Sequence, residues 1–130
     1  MSSEPTPPPR YLEFLERYPH LGDAWGLIAE AGTDGPIDLP TARLVKLGIS
    51  IGALREGAVR ASVRKGLAQG LSAAELEQVV ALAAGTIGLP ATVAAFSWVR
   101  EVLELTAETS SSRLEPRTAR DHQTAPELQR

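Results

Sequence analysis

Apolar residues recur at helical spacing along most of this chain, and no stretch alternates in the way a strand would. Arg10 to Tyr18 sets Tyr11, Leu12, Leu15 and Tyr18 on one side and Glu13, Glu16 and Arg17 on the other, and Pro19 ends this short helix. The next segment, LGDAWGLIAEAG, gathers Trp25, Ile28 and Ala29 on one face and stops at Gly32. Together the two segments read as a lid or arm packed on the main body. TDGPID joins them to that body as a turn-rich connector.

Asp38 followed by Pro40 signals a helix start, because proline fits the first turn, where its missing N–H is not needed. From Leu44 to Leu54 apolar residues go nearly all the way round, which predicts burial on most sides. Gly52 and Gly57 suit a close corner. Glu56 to Gln69 then presents Val59, Val63 and Leu67 at spacing four, beside a ladder of Ala58, Ser62 and Gly66 that would admit a neighbouring helix closely. Gly70 reads as a C-cap. Ser72 and Glu75 form a capping box opening a helix through Leu76, Val80 and Ile87. Pro90 starts the last helix, whose buried side should hold Val93, Phe96, Val99, Leu103 and Trp98. The expected class is all-α, a compact bundle of about six helices. Its parts are a disordered arm over 1–9, a helical domain over 10–107 and a disordered, polar tail over 108–130.

Composition narrows the chemistry. There is no cysteine, which removes disulfides, thiol redox chemistry and thiolate metal sites. His20 and His122 stand far apart, so no histidine metal site is expected within one chain. No apolar run approaches a membrane span, and MSSEPTPPPR lacks the apolar core of a signal peptide, so cytoplasmic residence is the expectation. The net charge is −3, yet residues 41–70 carry six bases (Arg43, Lys46, Arg55, Arg60, Arg64, Lys65) against the single acid Glu56. Without aromatic interleaving, and in an acidic chain, that patch does not argue for nucleic acid. A basic helix pair meeting acidic surface of a sister subunit accounts for the asymmetry.

Leu39 to Leu105 resembles the carboxymuconolactone decarboxylase and alkylhydroperoxidase D-like superfamily. The resemblance rests on LPTARLVKLGISIGA, on the capped start Gly70-Leu71-Ser72-Ala73-Ala74-Glu75-Leu76, and on the corner Gly88-Leu89-Pro90-Ala91. It implies a helical bundle that assembles as a trimer or hexamer. Peroxidase-type members carry a C-x-x-C pair, a histidine four residues later and a glutamate twelve residues before the pair. Counting back from Gly70, those positions fall on Arg55 and Ala58, Ser62 and Arg43. This chain therefore lacks the thiolate, resolving thiol and proton relay that such peroxide reduction needs.

Two functions remain in view. The first is a homo-oligomeric binding or scaffolding protein that has lost the peroxidase site. The second is a thiol-independent lyase, decarboxylase or isomerase acting on a small carboxylate-bearing molecule. In the second, Arg43 and Lys46 would bind the anion and Glu56 or Ser62 would handle a proton. The plainer reading of Arg43 is a pair with Glu56 or with a neighbouring subunit, and that of Glu56 is an acid well placed in a helix's first turn. Neither function calls for a cofactor. Expected partners are further copies of this chain and a small anionic molecule, with neither nucleic acid nor membrane.

Overall fold

The computed structural model describes residues 7–124, with side chains to Ser112. The disorder expected for 1–6 and 125–130 falls outside the described residues. Six helices follow one another and no strand occurs among the described residues: α1 Pro9–Arg17, α2 Pro19–Thr33, α3 Leu39–Gly52, α4 Glu56–Ala68, α5 Ala73–Ile87 and α6 Leu89–Thr124. α6 runs on past Ala107, where the sequence predicts a disordered tail. Hydroxyls of Thr106, Thr109 and Ser112 each donate back to the carbonyl four residues earlier along this extension.

Local chemistry sets the helix ends. The Asp38 carboxylate accepts from the Thr41 N–H at 2.8 Å, with Pro40 in the first turn, and this starts α3. α4 closes in a Schellman motif: Leu71 N–H reaches Gly66 O at 2.9 Å and Gly70 N–H reaches Leu67 O at 3.1 Å, with Gly70 at φ 91°. The capping box is present, with Glu75 N–H donating to Ser72 Oγ at 3.1 Å and Ser72 N–H to Glu75 Oε1 at 3.0 Å. At the α3–α4 corner the left-handed position falls to Leu54, φ 53°, rather than to a glycine. Leu54 N–H to Ile51 O and Arg55 N–H to Ser50 O complete the same motif there and hold that conformation in spite of its steric strain.

The capping box gives a simple expectation. Ser72→Ala removes the acceptor for the Glu75 N–H and should lower stability by about 1 kcal/mol in urea titrations. The backbone and side-chain hydrogen bonds from Ser72 hold the Glu75 carboxyl below its usual range. A folded value below the unfolded one means that this contribution is present above the ordinary carboxylate value of about 4 and is lost as pH falls through the lowered one.

The core lies between α3, α4, α5 and α6. Leu47 and Ile51 enter it from α3, Val59 and Val63 from α4, Leu76 and Val80 from α5, and Ala95, Val99, Val102 and Leu103 from α6. α3 packs on α4 and α5, and α6 packs on the same two helices, so the four form a ring in the order α3, α4, α6, α5. Three expectations about faces change. α3 buries only Leu47 and Ile51 fully, while Val45 and Ile49 are exposed. On α6 the buried stripe is Thr92, Ala95, Val99, Val102 and Leu103, with Val93 and Phe96 outside it. α1 and α2 have no buried residue, so they are not a lid over the body.

Candidate functional site

α3 and α4 bring two of the four predicted site residues into one neighbourhood. Ser62 is buried on α4, and Gly66 lies one turn further along the same face. The stem of Arg43 crosses from α3 to that face: a Cβ built on Gly66 would sit 3.6 Å from Arg43 Cγ. The same point lies 3.0 Å from Leu76 Cδ2 and 3.2 Å from Leu71 Cδ1. Gly66, the last member of the α4 ladder, thus makes room for three side chains rather than for a second backbone. Ala58, the ladder's first member, is exposed.

Arg43 is half-buried, and its Nε is enclosed with no hydrogen-bond partner among the described residues. Burial pushes its pKa below the ordinary arginine value, and no acid is placed to offset it. The expected pair with Glu56 does not form. Glu56 instead accepts from Arg60 Nε at 3.2 Å, and the other end of Arg60 reaches Glu101 on α6 at 2.5 Å. The hydrogen bond that Arg60 donates to Glu101, and then the one it donates to Glu56, raises the Arg60 pKa. Glu56 is therefore part of a clamp from α4 to α6, at the start of α4 and ten residues from the Gly66 position where Arg43 packs. Lys46 is exposed on α3, and its carbonyl accepts from the Ser50 hydroxyl at 2.9 Å.

Of the positions that the resemblance assigns to the peroxidase thiols and imidazole, Arg55 and Ala58 are exposed and Ser62 is buried. No carboxylate or imidazole hydrogen-bonds to Ser62 among the described residues, so its hydroxyl has no base to activate it. Arg43, Glu56 and Ser62 line neither of two cavities along the bundle. One, of about 550 Å³, is an open groove between α3 and α5 walled by Leu44, Val45, Gly48, Val79, Leu82 and Ala83, with Thr41, Glu75 and Gln78 at its polar edge. The other, of about 310 Å³, lies between Arg64 on α4 and the Val102–Ser110 stretch of α6.

Sequence reasoning missed the groove and both interhelical clamps. Arg100 pairs with Glu77 across α5 and α6 at 2.8 Å and with Glu104 at 3.3 Å. The spacing of four between Glu56 and Arg60, and between Arg100 and Glu104, is the signal that was available. No helix among the described residues is long and apolar enough to cross a membrane.

Among known proteins, no curated protein and no solved structure matches the chain. The family comparison does find a match. The model of the carboxymuconolactone decarboxylase family covers residues 19–101, from the start of α2 into the first half of α6, and so takes in the four-helix core up to Val99. That span is well over half of the sequence, and this chain belongs to the carboxymuconolactone decarboxylase family.

Proposed function

We propose that this protein is a self-associating binding or scaffolding member of its family, without the thiol chemistry of the peroxidase branch. The observation that carries this reading is the apolar surface left open by the single chain. No residue of α1 or α2 is buried, and Trp25, Leu27 and Ile28 are each more than half exposed, as are Ile49 on α3, Leu82 on α5 and Val93 on α6. Apolar surface on this scale is what association covers. Sedimentation velocity at micromolar concentration should show an oligomer, and a monomer there would refute the reading.

Arg43 supports the second reading, the binding of a small carboxylate. An enclosed guanidinium nitrogen without a partner is a donor waiting for an acceptor. A thermal-shift screen of small carboxylates and phosphates separates the two readings. A ligand-dependent rise in Tm that disappears in Arg43→Met, with the oligomer intact, would favour the thiol-independent lyase, decarboxylase or isomerase. No shift with any acid leaves the binding or scaffolding role.

A further inference from the structure

The unpartnered arm and the open groove are complementary in three ways. The first is shape. α2 has 15 residues, α5 has 15 and α3 has 14, so an α2 helix of about 22 Å matches the length of the groove's walls. The second is polarity. Leu21, Trp25 and Ile28 stand at i, i+4 and i+7 on α2, all more than half exposed, which is the anchor pattern of a helix laid in an apolar groove. Facing them would be Val45 and Leu82, themselves exposed at the groove's lip.

The third is charge. Between Pro9 and Asp38 there are six acids and two bases, whereas α3, one wall of the groove, holds two bases and no acid. On α3, Lys46 is exposed beside Val45 and Ile49 and forms no ion pair among the described residues. An acidic amphipathic arm is repelled by an anionic lipid surface and attracted to the Lys46 side of the groove. Pro36 and Pro40 restrict the connector on either side of Asp38, which disfavours a fold-back of the arm onto its own groove.

From these features we infer that α2 of one copy seats in the α3–α5 groove of a second copy, with Leu21, Trp25 and Ile28 as its anchors. This rests on the self-association proposed above and assigns the surfaces that carry it.

Two full-length variants test it, each altering residues at least about half exposed in the single chain, so that folding is spared. The arm variant is Trp25→Lys with Ile28→Lys, and the groove variant is Val45→Glu with Leu82→Glu. Each alone should sediment as a monomer with an unchanged far-UV spectrum. Mixed in equal amounts, they should form a one-to-one heterodimer, because one intact arm and one intact groove remain. Variants that still assemble like the parent would overturn the assignment while leaving self-association standing. Monomeric variants whose mixture stays monomeric would also overturn it. A monomeric parent would remove both this inference and the reading beneath it. Binding of the parent to phosphatidylglycerol vesicles, lost in the arm variant and without self-association, would give the arm to a lipid surface and overturn the inference.

Discussion

Replacing Leu76 by alanine lowers the unfolding free energy by about 3 kcal/mol, read from urea titrations at one fixed protein concentration. Leu76 is fully buried in the first turns of α5, and its Cδ2 fills the space beside Gly66. The size of the loss follows from what surrounds it. A truncated core leucine loses its transfer free energy and leaves a cavity that costs more where neighbours cannot move in. On the α4 side the facing residue is a glycine, which has no side chain to extend. Leu71 is held by the Schellman bond from its own N–H to Gly66 O, which limits how far it can shift. Leu105→Ala on α6, outside the α3–α5 groove, is the control: with 61% of its surface exposed it should change stability by less than about 0.5 kcal/mol. A loss at Leu76 no larger than at Leu105 would mean that the α4–α5 contact collapses freely.

How much of this was legible depended on the reach of each interaction. The ends at Asp38, Ser72 and Gly70 were readable, because a cap and its N–H lie within three or four residues of each other. The buried face of α6 was not. Val93 and Phe96 sit one position round from Thr92 and Ala95, and in a helix with apolar residues on several sides size alone does not choose the stripe. Packing against α4 and α5 made that choice, and it took the alanine and left the phenylalanine 44% exposed. α3 repeats the lesson: its all-round apolar pattern suggested burial that one chain does not supply. In the candidate site, Arg43 and Gly66 come together from different helices, which no local pattern reports. Glu56 and Arg60 were within reach at spacing four. The link from Arg60 to Glu101, 41 residues on, is long-range, and Arg43 packs at Gly66, ten residues along α4 from Glu56.

The second large effect belongs to Gly66 itself. Gly66→Ala should be close to neutral. Alanine gains about 1 kcal/mol of helix propensity over glycine, against displacement of the Leu76 and Leu71 tips by a few tenths of an ångström. Gly66→Val should cost about 2 kcal/mol, because its methyls need space that Leu76, Leu71 and the Arg43 stem already fill, and a β-branched residue recovers less propensity. Leu76 is the nearest of the three, so the cost should fall when that side chain is shortened. The double variant Gly66→Val with Leu76→Ala is therefore expected to be more stable than the sum of the single losses by about 1 kcal/mol, the valine occupying part of the alanine's cavity. Strict additivity in the same titrations would place the clash on Leu71 or Arg43 instead. Arg43→Ala then tells the two apart, because it relieves the clash only where the arginine stem, rather than Leu71, fills the space the valine needs.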